Sequence, residues 1–166
     1  SFDMHTVLIL GAGKIGSLIS GLLAESGDYD VHVADVNASV AHSVVEAHGL
    51  DNLHAHGFDA GDKQALAAHL RAHPVEAVIS SLPYYCNVGV AEAARAAGAS
   101  YFDLTEDVAV TRAVRQLAAG ADTAFVPQCG LAPGFISSAA NALIAHFDEL
   151  RSVKLRVGAL PQHPNN

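Results

Sequence analysis

Apolar residues fall along this chain in two alternating rhythms. "TVLIL", Thr6 to Leu10, is a short apolar run rich in β-branched residues and closed by glycine, after which Ile15, Leu18, Ile19, Leu22 and Leu23 recur at helical spacing. The pattern predicts a strand and then a helix. "DVHVAD" (Asp30 to Asp35) repeats the strand signal, Asn37 offers an N-cap, and Val40, Val44, Val45 and His48 keep helical spacing up to Gly49. A weaker strand follows over Leu53 to Phe58, then a helix over Asp62 to Ala72 closed by Pro74. The stretches "EAVISSL", "VGVAEAARAAG", "SYFDL", "DVAVTRAVRQLAA" and "TAFVP" carry the alternation on to Pro127. Strict alternation with short connections demands parallel strands joined by right-handed crossovers. The expected fold is therefore α/β, a doubly wound parallel sheet ordered 3-2-1-4-5-6.

Composition narrows this reading without changing it. Hydrophobic residues make up 51% and charged residues 16% of the chain, which excludes disorder and fits strands buried on both faces. A length of 166 residues suits one domain with a small appendage. The formal net charge of −8 argues against a surface that tracks nucleic-acid phosphates or an anionic membrane and points to a small-molecule partner. The N-terminus lacks the features of a signal peptide, only Cys86 and Cys129 are available for disulfides, and no apolar run is long enough to span a bilayer. A cytoplasmic location and no membrane partner are expected.

The chemistry starts at "GAGKIG". Gly11, Gly13 and Gly16 stand between the first strand and the first helix, where a tight turn, close approach of backbone to a pyrophosphate, and close helix packing each exclude a side chain. With Lys14 and Ile15 they open a helix N-terminus, a source of unpaired amides and positive dipole. Asp35 ends the second strand about 20 residues further on, the position from which an acid binds ribose hydroxyls. The motif predicts a Rossmann-like NAD(P) site. Asp35 would repel a 2′-phosphate, and "VNASVA", beginning at Val36, holds no arginine or lysine to offset it, so NAD is favoured over NADP. The glycine pattern is shared with FAD sites, but no further flavin feature is present.

Ligands of such sheets lie outside the carboxyl ends of the strands. The corresponding loops supply Asp59 and Ala60, then Ser80, Ser81, Leu82 and Pro83, then Asp103, as further cofactor-side candidates. Helix capping is the competing role for Asp59 and Asp103. Beyond Ser80 to Pro83 lies Tyr84, a candidate substrate contact for which packing is the alternative. After the sixth strand comes "PQCGLAPGF", whose Cys129, Gly130 and Leu131 are the remaining substrate-side candidates.

In "VLILGAGKIG", "ADVN", "SSLPYYCNVGVAEAARAAGASYFDLTED", "PQCGLAPGFISSAANAL" and "VKLRVGALP" the chain resembles the saccharopine dehydrogenase family over nearly its whole length. That resemblance implies a nicotinamide-dependent oxidoreductase acting at a carbon–nitrogen bond of an amino acid, as in saccharopine reductases and lysine 6-dehydrogenases. It also implies a second domain that closes the active site and mediates homodimerisation. Residues 1–128 would then form the dinucleotide-binding domain and 129–166 the beginning of the substrate domain. Saccharopine reductases commonly carry aspartate where Ala132 stands, and the alanine form looks more like the lysine 6-dehydrogenase branch. The rivals are a non-catalytic NAD-sensing module and an imine reductase for a carboxyspermidine-type substrate.

Two patterns remain. Val153, Leu155 and Val157 alternate with Lys154 and Arg156 as in a half-buried antiparallel strand, and no partner strand follows, so the sequence reads as truncated. Ten histidines raise the question of a metal. His54 and His56 share a strand face and His69 and His73 lie one helical turn apart, but neither pair has a third ligand at suitable spacing. Solvated histidines and no metal are expected.

Overall fold

The computed structural model describes residues 4–127 and 145–149. Six strands alternate with five helices: β1 (His5–Leu10), α1 (Lys14–Ser26), β2 (Tyr29–Asp35), α2 (Ala38–His48), β3 (Leu53–Gly57), α3 (Lys63–Ala72), β4 (Ala77–Ser80), α4 (Asn87–Ala96), β5 (Ser100–Asp103), α5 (Val108–Ala118) and β6 (Phe125–Val126). A 3-10 turn, Tyr84–Cys86, leads into α4. The strands form one parallel sheet in the order β3-β2-β1-β4-β5-β6, as the alternation predicts.

The two-residue period of the strands divides the core into two layers. Val7 and Ile9 of β1 with Val31 and Val33 of β2 face Ile19 and Leu23 of α1 and Ala41 and Val44 of α2. Leu8, Leu10 and Val78 point the other way, toward Leu66 and Leu70 of α3, Val90 and Ala94 of α4, and Val114 of α5. Val7 to Leu10 are consequently fully buried. A continuous apolar run is what a central parallel strand covered on both faces requires.

The polar signals act at the helix ends. Asn37 caps α2 by accepting from the Ser39 amide, and Gly49 closes it in the left-handed region with φ 62°. Asp62 caps α3 through the amides of Gln64 and Ala65, and Asp107 caps α5 through that of Val110. Both aspartates therefore stand just outside the helices that periodicity places them in.

Residues 145–149 are helical. Phe147 is 2% exposed and packs between His5, at 4.1 Å between ring centroids, and Tyr29, at 5.8 Å. His146 Nε2 lies 3.0 Å from Ser100 Oγ. This segment thus joins the core of the sheet at the starts of β1, β2 and β5. The expected domain boundary at 129, the turn containing Cys129, Gly130 and Leu131, and the alternating stretch from 153 to 157 lie outside the described residues.

Candidate dinucleotide site

β1 and β4 are neighbours whose connections run to opposite sides of the sheet, so a crevice opens beyond their carboxyl ends. The glycine turn fills one side of it. Gly11 adopts φ +94°, a backbone conformation costly to residues with a Cβ, and a Cβ there would meet Ser81 Oγ at 2.6 Å. A Cβ on Gly16 would run into the carbonyl oxygen of Gly11. These two glycines are required by the chain itself.

Gly13 is different. A Cβ there would find nothing within 4 Å, and the residue is exposed. Gly13 is also the N-cap of α1 and provides no side-chain hydrogen bond, so the first-turn amides of that helix have no side-chain cap. Open space over uncapped amides at the positive end of a helix dipole suits the pyrophosphate of a dinucleotide.

Asp35 is built into this turn. Its Oδ2 accepts from the Ala12 amide at 3.0 Å and its Oδ1 from the Asn37 amide at 2.9 Å. One bond per oxygen leaves each a free lone-pair direction for a ribose hydroxyl. Val36 beside it is 74% exposed and offers an apolar surface at the same rim.

Across the crevice, Ser81 ties the exit of β4 to the glycine turn. Its hydroxyl lies 2.9 Å from the Leu10 carbonyl and 3.1 Å from that of Gly11, and its amide donates to Leu10. Ser81 and Leu82 line a cleft of about 540 Å³ together with Ile15, Tyr84, Leu104, Thr105, Glu106 and Asp107. Pro83 and Tyr84 are exposed at its edge.

Several candidates do not face this cleft. Ser80 is buried, donates to Asn87 Oδ1 at 2.7 Å, and so fixes the start of α4. Asp103 is fully buried, accepting from the Tyr101 hydroxyl at 2.6 Å and the Thr105 amide at 3.0 Å. Its carboxylate shapes the loop after β5, and Asp107 takes the capping role considered for it. Asp59 accepts from the Gly61 amide at 2.9 Å, leaving the cap of α3 to Asp62. Ala60 packs against the core layer of Leu8, Leu10 and Val78. Of the cleft's lining, Glu106 and Asp107 are not picked out by sequence, although a stretch following the fifth strand is where a search along the carboxyl rim would look.

Burial, with Asp59 adding to it, raises the pKa of the Cys86 thiol, which is therefore protonated and unreactive at neutral pH.

Residues 7–126 match the family model described as the saccharopine dehydrogenase NADP binding domain. Among solved structures, apo saccharopine dehydrogenase (L-Glu forming) from Saccharomyces cerevisiae aligns at a TM-score of 0.67 and 25% identity, over 78% of this chain and 28% of that one. GenD2 from gentamicin A biosynthesis, solved with NAD, aligns at 0.53 and 21% identity over 72% of this chain and 32% of its own. An oxidoreductase from Thermotoga maritima aligns at 0.57 and 20% identity over 75% and 37%. The chain thus spans 28%, 32% and 37% of the lengths of these three proteins. With the glycine turn, Asp35 and the strand order all in place, the chain belongs to the saccharopine dehydrogenase family, as its nicotinamide-dinucleotide-binding domain.

Proposed function

We propose that this domain serves an NAD-dependent oxidoreductase that acts at a carbon–nitrogen bond of an amino acid. The observation that carries the cofactor half is Gly13, whose missing side chain no part of the described chain requires, above a helix end with no side-chain cap. The α1 amides hold the pyrophosphate and Asp35 the adenosine ribose. The carboxylate, with no cation among Val36 to Ser39, disfavours a 2′-phosphate and so favours NAD over NADP. Val36 lies along the adenine, and Ser81, Leu82 and Ile15 line the path toward the reactive end.

When bound, a nicotinamide would supply a hydride acceptor for the carbon bearing the nitrogen, or a hydride donor in the reverse sense. The chain's own residues position the partners. Leu82, Leu104 and Ile15 give the cleft apolar walls that exclude water, while Thr105, Glu106 and Tyr84 present polar atoms to a substrate. Oxidation in this sense removes a hydride from the carbon and a proton from the nitrogen, two electrons and two protons in all, giving an imine that water opens to a carbonyl and a free amine. The amino-acid substrate rests on the resemblance of "SSLPYY", "YFDLTED" and "CGLAPGF" to the family.

The test has two parts. Calorimetric titration of the chain with NAD and NADP should show NAD binding more tightly, and equal or reversed preference would overturn the assignment. The protein carrying this domain should then reduce NAD with lysine, or oxidise or form saccharopine, more efficiently than with polyamine-like amines. NAD binding with no turnover of any amine would instead support a sensing module.

A further inference from the structure

Five histidines and an aspartate converge on the flank of the sheet that α3 covers, away from the glycine turn. β2 contributes Asp30 and His32, β3 His54 and His56, and the last turn and C-cap of α3 contribute His69 and His73. Parallel register sets His32 opposite His54 and Ala34 opposite His56, so all the strand histidines share one face. The helix then lowers His69 and His73 onto them. Ring centroids lie 4.7 Å apart for His56 and His69, 4.9 Å for His56 and His73, and 4.8 Å for His69 and His73. This supplies the third ligand that sequence spacing does not reveal.

We propose that His56, His69 and His73 bind a divalent transition-metal ion of the zinc class through three imidazole nitrogens, with a fourth position open to water or an exogenous ligand.

Three independent features support the site. One ligand atom from each of the three residues lies within 4.8 Å of the others. A tetrahedral ion with bonds near 2.0–2.1 Å sets its ligands about 3.3 Å apart. His73 is exposed, so its ring can turn toward an ion.

The second feature is a set of hydrogen bonds that fixes a tautomer. Asp30 Oδ2 lies 3.3 Å from His32 Nε2, and a carboxylate can only accept, so His32 Nε2 carries the proton. In neutral His32, Nδ1 is then a lone pair, and it accepts from His56 Nε2–H at 2.7 Å. His56 Nδ1 is left bare, available to an ion. A carboxylate and an imidazole that orient a ligating histidine are the usual outer support of a metal site. His54 Nε2, 2.8 Å from Asp30 Oδ1, holds the carboxylate in place.

Third, His69 Nε2 is buried and has no hydrogen-bond partner among the described residues. A buried polar atom left this way is costly, and a bound cation satisfies it. Three nitrogen donors and no oxygen in the set disfavour magnesium and calcium.

The experiment is a zinc titration of the chelator-stripped chain against a chromophoric chelator, with cobalt as a spectroscopic substitute. Expected are one equivalent of zinc, a tetrahedral cobalt spectrum, and a higher melting temperature with zinc, because the ion joins β3 to α3. His73→Gln, at an exposed position outside the core, should weaken zinc binding at least ~10-fold, and His32→Ala, which removes only the outer support, about 10- to 100-fold. His42→Gln, exposed on α2 over the opposite face, should leave binding unchanged. Absence of zinc uptake, uptake that His73→Gln leaves intact, or uptake lost in His42→Gln would overturn the site.

Discussion

Two glycines three residues apart in one loop, Gly13 and Gly16, separate folding from binding at the scale of single atoms. Gly16→Ala drives a Cβ into the Gly11 carbonyl and should cost about 2–3 kcal/mol of stability, read by urea denaturation, because backbone must shift to make room. Gly13→Ala meets no protein atom and should change stability by no more than about 1 kcal/mol. It should nevertheless weaken NAD at least ~10-fold, since a methyl group would occupy the space over the helix amides. Equal effects of the two substitutions on stability would show that Gly13 is structural. Asp35→Ala removes a charged acceptor from two amides and from the ribose it is proposed to hold, and should weaken NAD roughly 10- to 100-fold. NADP should lose less, because the same change relieves phosphate repulsion. Gly11 and Gly16 are legible from sequence because each meets a requirement of the local backbone.

At the scale of elements, helix ends do much of the positioning. Asp107 caps α5 and also lines the cleft, so one side chain sets both the helix start and the rim. Asp107→Ala should lower stability by about 1 kcal/mol, while Asp107→Asn, an equally good cap, should leave it nearly unchanged; thermal melts of the two variants distinguish capping from charge. Sequence places Asp107 inside the helix and assigns the neighbouring acid, Asp103, to a cap or a ligand. The structure buries Asp103 between Tyr101 and Thr105 instead. Its partners are a residue two before it on the same strand and one two after it in the loop, and the outcome depends on how tightly β5 is covered. No periodicity carries that information.

Across the whole molecule, Phe147 joins the sheet's own core. Its ring stacks on His5 from the first strand, nearly the full chain away, and it is 2% exposed. Phe147→Ala should therefore cost about 3–5 kcal/mol, as deletion of a buried aromatic does, with a matching loss of cooperativity midpoint in denaturant. A loss below about 1 kcal/mol would mean that residues 145–149 do not belong to the core of the sheet. Among the described residues, no helix is long and apolar enough to cross a membrane.

The order of strands and helices, the doubly wound sheet and the glycine turn were determined by sequence alone, because two-residue and 3.6-residue periods, caps and glycine turns act over a few neighbouring residues. Right-handed crossovers then leave few ways to arrange the strands. Tertiary structure decided what depends on packing between distant segments. It turned Ser80 and Asp103 inward, brought Leu104 to Asp107 to the cleft, and set Phe147 against His5. It also gathered His56, His69 and His73, whose separate pairs carry no ligand set in sequence. Those three meet because β3 pairs with β2 in one register and α3 returns across that face, and neither condition is local.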